Sequence, residues 1–94
     1  MTVLHWLPSA EMALEEIIEY IAIDNLNAAL ALGDRIIDAV EDNLTEHPNM
    51  GRPGRVEGTR ELVVHKNYVV IYQVAADAVT LLDVVHASRA YPSL

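Results

Sequence analysis

The sequence predicts an α+β fold: a strand, two helices and three strands, with two antiparallel helices packed on one face of an antiparallel sheet. Three observations predict it. Apolar residues recur at helical spacing through the first fifty positions and near strand spacing after them. Glycine, proline and arginine cluster where the period changes, in GRPGRVEGTR (51–60). The chain has 94 residues, is 52% apolar and lacks cysteine, which suits one domain on one modest core. Residues 1–94 are read as that single domain.

TVLHW (2–6) reads as a short opening strand that ends before Pro8. Ser9 is the expected N-cap of the first helix, since its hydroxyl can accept from first-turn amides. Leu14, Ile17, Ile18 and Ile21 then follow at helical spacing, with Glu11, Glu15, Glu16 and Glu19 on the other side. The helix runs to about Ile23. Asp24-Asn25 breaks it and caps a second helix, whose stripe is Ala29, Leu32, Ile36, Ile37, Val40 and Leu44. His47-Pro48-Asn49 ends it. So short a connection predicts an antiparallel pair.

TRELVVH, YVVIYQV and VTLLDVVH are β-branched and aromatic-rich. Lys66-Asn67 and Ala75-Ala76-Asp77-Ala78 are short enough for hairpin turns, giving a three-stranded antiparallel meander. Both alternating sets of the middle strand are largely apolar. One face therefore takes the helices, and the other is at least partly covered or used.

Composition narrows the function classes. Without cysteine there are no disulfides and no thiolate metal sites, which suits a reducing cytosol, and a cytoplasmic location is the expectation. No apolar run approaches the ~18 residues of a membrane span, so no membrane partner is expected. No histidine pair has metal-ligand spacing, and neither a metal nor another cofactor is expected. The formal net charge is −8. Residues 1–50 carry a net −9 (one basic, ten acidic) and residues 51–94 a net +1 (five basic, four acidic). Such asymmetry separates two faces, or reflects nothing more than soluble acidic helices.

Three of the six Lys and Arg residues, Arg52, Arg55 and Arg60, fall in the loop between the helices and the sheet. Gly51 and Gly54 permit unusual backbone angles there, and Pro53 fixes its own. Arg60 starts a strand and has a possible internal partner. Arg52 and Arg55 have less structural reason to be there and read as anchors for an acidic partner. On this reading, replacing all three by Ala leaves the fold largely intact.

The chain resembles the RelE/ParE superfamily, the toxins of bacterial type II toxin–antitoxin pairs. The resemblance rests on LHWLPSAEMALEEIIEYIA, DNLNAA, HPNMGRPGRVEGTRELVV, NYVVIYQV and VVHASRAYP, in this order and over nearly the whole length. It implies helices on one side of an antiparallel sheet. It also implies a growth inhibitor, of the kind that stabilises plasmids, neutralised by a cognate antitoxin protein held in a tight complex. Sequence-specific DNA binding by this chain is not expected. RelE-like members cut mRNA on the ribosome, whereas ParE-like members act on DNA gyrase. The resemblance thus leaves open whether the chain is an enzyme.

Metal-free RNA cleavage would need groups that activate the 2′-hydroxyl, stabilise the phosphate and protonate the leaving oxygen. For that activity His65, His86 and Tyr91 are the catalytic candidates. Arg52, Arg55, Arg60, Lys66 and Arg89 are the candidates for binding a target or a phosphate. His5 and His47 read as structural. Against cleavage, Val69 stands where many RelE-like ribonucleases carry arginine. A pI near 4.7 also opposes RNA binding. The YVVIY strand and the VVH ending look more ParE-like, so gyrase is the favoured target and ribosome-dependent cleavage the alternative. A harmless binding module of the same fold is a third reading. Two antitoxin chemistries stay open: an acidic-faced segment over the basic loop, or a basic one over the acidic helices.

Overall fold

The computed structural model describes residues 2–88. The elements are β1 (Val3–Trp6), α1 (Pro8–Ala22), α2 (Leu26–Leu44), β2 (Arg52–Pro53), β3 (Arg60–His65), β4 (Tyr68–Val74) and β5 (Ala78–His86). The strands form one sheet in the order β1-β5-β4-β3-β2. The predicted order holds, with one short strand added inside the Gly/Pro/Arg loop.

The sheet is mostly antiparallel, as expected, with one parallel pair. β3, β4 and β5 form the predicted meander, but β1 pairs with β5 in parallel, from Val3 opposite Ala78 to Trp6 opposite Leu81. A parallel pair needs a long crossover. Here everything from α1 to β4 lies between the two strands. The first strand therefore sits beside the last, a placement that no local pattern encodes.

The start of α1 also departs from expectation. Leu7, not Ser9, is the N-cap, with extended backbone and no side-chain cap, and Pro8 opens the helix where its missing N–H costs nothing. The amides of Ala10 and Glu11 bond the Leu7 carbonyl. Ser9 is thereby free to bond elsewhere, and its hydroxyl donates to the Leu82 carbonyl at 2.7 Å. Leu82 is the bulged residue of β5, because Ile71 faces Asp83 while Tyr72 faces Leu81. An irregularity in the last strand is thus satisfied by the first turn of the first helix.

Asn25 caps α2 as expected, its side-chain oxygen accepting from the Ala28 amide at 3.0 Å. α1 lies over β5 and α2 over β3. The core between the layers holds Leu14, Ile36, Val40, Leu44, Leu62, Val64, Val70, Tyr72, Val79, Leu81 and Val84. A smaller cluster, Val69, Ile71 and Val85 with Leu82 packed against it, occupies the other face. That accounts for the two apolar sets of the middle strand.

Candidate functional site

Most of the basic loop is architecture. Arg52 and Glu61 face each other across β2 and β3, and the Arg52 Nε donates to Glu61 Oε1 at 2.7 Å. Glu61 is 5% exposed, so this guanidinium supplies a counter-charge to a buried carboxylate. Arg60 donates from Nη1 to the carbonyls of Asn49 (3.1 Å) and Gly51 (2.6 Å). Behind them the Gly51 amide donates to the Tyr72 hydroxyl at 2.9 Å, inside the core. A β-carbon on Gly51 would lie 2.5 Å from that hydroxyl and 2.6 Å from the Glu61 carbonyl oxygen, so only glycine fits. Arg52, expected to have little structural reason to be in the loop, thus has an internal partner, and so does Arg60. Arg55 is exposed and lies in the turn between β2 and β3.

At one end of the sheet the meander brings two predicted candidates together. The Lys66-Asn67 turn sets His65 opposite Tyr68, and the next hairpin sets Tyr68 opposite His86. Tyr68 stands between them, its ring 5.9 Å from that of His65 and 5.4 Å, edge-on, from that of His86. Residue type alone does not single out Tyr68, although counting back across a two-residue turn finds it. Lys66 is exposed on that turn. Arg89 and Tyr91 lie outside the described residues.

Both histidines are held in the same way. His65 Nδ1 accepts from the Asn67 amide at 3.1 Å, and His86 Nδ1 accepts from the Ser88 amide at 3.1 Å. The Ser88 hydroxyl adds a contact to His86 Nδ1 at 2.7 Å. With Nδ1 accepting, the proton of each neutral ring sits on Nε2. Each ring is then a donor at Nε2. It can take a proton as a base only by giving up its bond to the turn amide.

Beside this row a groove of about 640 Å³ opens between α1 and the sheet. Its apolar lining comes from Met12, Ala13, Ile17 and Val84, and its aromatic lining from Tyr20, Tyr68 and His86. Ser9, Glu16 and Asp83 supply the polar groups, and no Lys or Arg among the described residues lines it. Asp83 is half-buried, with one oxygen accepting from the Val84 amide. Sequence reasoning missed this groove. Glu16 looks like any solvated helix carboxylate, and the groove that it lines forms only where α1 packs over β5.

Known proteins share this fold. The model of a family described as "ParE toxin of type II toxin-antitoxin system, parDE" matches residues 4–91. A curated relative from Sinorhizobium fredii, named "Putative toxin Y4kP", is 40% identical over 92 residues, covering 97% of this chain and 94% of the relative. Among solved structures, a chain of the chromosomal ParDE TA system from P. aeruginosa superposes with a TM-score of 0.80 at 24% identity. That match covers 92% of this chain and 96% of the other. A chain of the toxin–antitoxin complex RelBE2 from Mycobacterium tuberculosis gives 0.64 at 21% identity, over 90% and 96%. The two structural matches speak for the fold, and the family match and the 40% relative for kinship: the chain belongs to the ParE toxin family of type II toxin–antitoxin systems.

Proposed function

We propose that this toxin acts on a protein target, DNA gyrase, and that a cognate antitoxin protein holds it inactive. The observation that carries the reading is the charge of the groove beside the histidine row. Glu16 lines it, with no guanidinium or ammonium among its described residues. A phosphodiester seated there would meet the Glu16 carboxylate, with no compensating charge among the described residues. The ring nitrogens that would serve as bases are engaged by turn amides. Val69, where a phosphate-binding arginine would be sought, is buried in the small apolar cluster on the opposite face of the sheet. A gyrase poison needs surface complementarity and no catalytic set, so none of these features opposes it.

The test is a supercoiling assay with purified gyrase and increasing toxin. Inhibition or trapped cleaved DNA is expected, reversed by the antitoxin and retained by H65A and H86A. No effect from a folded preparation that arrests growth in cells removes the gyrase reading.

One observation favours ribosome-dependent mRNA cleavage as the second reading. Three strands bring His65, Tyr68 and His86 into one row, which is the residue chemistry a metal-free ribonuclease uses. On that reading H65A or H86A lowers cleavage of ribosome-bound mRNA by roughly 10²-fold or more, on the order typical of a lost acid–base group.

A further inference from the structure

We propose that the groove between α1 and the β4–β5 end of the sheet receives an Arg or Lys side chain, borne by an apolar-flanked segment of the antitoxin. The proposal rests on the toxin–antitoxin reading and specifies the chemistry of the partner that reading requires.

The lining defines the occupant. Glu16 on α1 brings negative charge into the groove, and Asp83 completes the lining from β5. Among the described lining residues there is no Lys or Arg to neutralise Glu16. Tyr20 and Tyr68 add aromatic rings, whose faces attract a guanidinium or ammonium. Carboxylates with aromatic rings are the donor-accepting, cation-stacking set that planar guanidinium uses best.

The groove continues into an apolar stripe. Met12, Glu16 and Tyr20 of α1 and its C-cap Ile23 recur at intervals of four, four and three, so they share one side of the helix. Met12 is 58% exposed, Tyr20 76% and Ile23 82%. Apolar anchors therefore flank the Glu16 carboxylate over roughly 16 Å of helix. The complement is a segment of about that reach, with a basic residue between apolar ones.

Charge also excludes the other occupants. A second copy of this chain would bring the same acidic helices against this face, at a formal charge of −8 per copy. A nucleic acid would set phosphates against Glu16. A basic protein segment alone meets both the Glu16 carboxylate and the exposed apolar stripe.

The test is the affinity of the purified toxin for its antitoxin, with Glu16→Lys and the control Glu15→Lys. Glu15 lies one residue away and lines a different groove, with Ile18, Ile37 and Glu41. The two variants change the net charge equally, so the overall field cancels in the comparison. E16K is expected to weaken binding about tenfold or more, and E15K less than about twofold. Tyr20→Ala, at a highly exposed ring, should weaken it with no change in thermal unfolding. Arg→Glu or Lys→Glu at the matching antitoxin position should restore binding to E16K.

Equal effects of E16K and E15K, or no effect of either, overturn the proposal. So does an E16K variant that keeps its antitoxin affinity and gains affinity for a polyuridine oligonucleotide, which would mark a nucleic-acid occupant. The toxin reading is scored separately, by growth arrest when the wild-type chain is expressed alone. A wild type that neither arrests growth nor binds the antitoxin overturns that reading and this proposal with it.

Discussion

Tyr72 and Glu61 show how single residues fix the loop beneath the sheet. Burial pushes the Tyr72 hydroxyl above the usual phenol range, while the Gly51 amide and the Arg60 charge pull it back. The unfolded chain releases this proton near pH 10, and the folded chain holds it to higher pH. Its contribution is therefore complete below about pH 10 and is lost as pH rises through the folded-state value. Denaturant unfolding from about pH 8 to 11 should show stability falling less steeply in Tyr72→Phe than in wild type. At neutral pH the same variant should lose about 1–3 kcal/mol, because the Gly51 amide is left unpaired in the core. Arg52→Ala should cost a similar ~1–3 kcal/mol by removing a counter-charge from the buried Glu61 carboxylate. Adding Glu61→Gln should recover part of that loss in urea unfolding.

Among the elements, the helical hairpin depends on Gly33. A β-carbon there would lie 2.7 Å from Ile18 Cδ1, the flexible end of its side chain. Gly33→Ala should therefore be tolerated, whereas Gly33→Val should cost about 1–3 kcal/mol by wedging α1 from α2. Thermal unfolding of the two variants checks the ordering. The elements themselves were legible in the sequence: helix stripes, the Asn25 cap and the meander all follow from period and turn chemistry. Three features were not. Ser9 suits a cap, but Pro8 moved the helix start and the β5 bulge offered an unpaired carbonyl. Arg52 found its partner only because Arg52-Pro53 became a strand opposite Arg60-Glu61. The parallel β1–β5 pair reflects chain path alone. At the candidate site, His65 and His86 were named from residue type, whereas Tyr68 needed the strand register and Glu16 the packing of α1 over β5.

For the whole molecule, the charge is segregated by layer. α1 and α2 carry Glu11, Glu15, Glu16, Glu19, Asp34, Asp38, Glu41 and Asp42 against the single Arg35. Arg52, Arg55, Arg60 and Lys66 belong to the sheet and its turns. Repulsion within the helical layer opposes compaction and is screened by salt. The melting temperature should rise between about 20 and 300 mM NaCl, and antitoxin affinity should fall over the same range if a basic side chain sits beside Glu16. Calorimetry and binding titration at matched salt separate the two effects. Two opposite responses to one variable would locate the charge that matters for recognition.

The pairing of β1 with β5 also bears on how the toxin is made. Val3 to Trp6 can find their partners only after Ala78 to Leu81 have been synthesised, and Ser9 waits for Leu82. The sheet cannot be completed while the chain is still emerging from its own ribosome, and contacts of such sequence separation form slowly. A message cut short before the codon for Ala78 would yield a polypeptide that lacks the strand between β1 and β4. Assembly of the sheet thus waits until translation has passed Leu82.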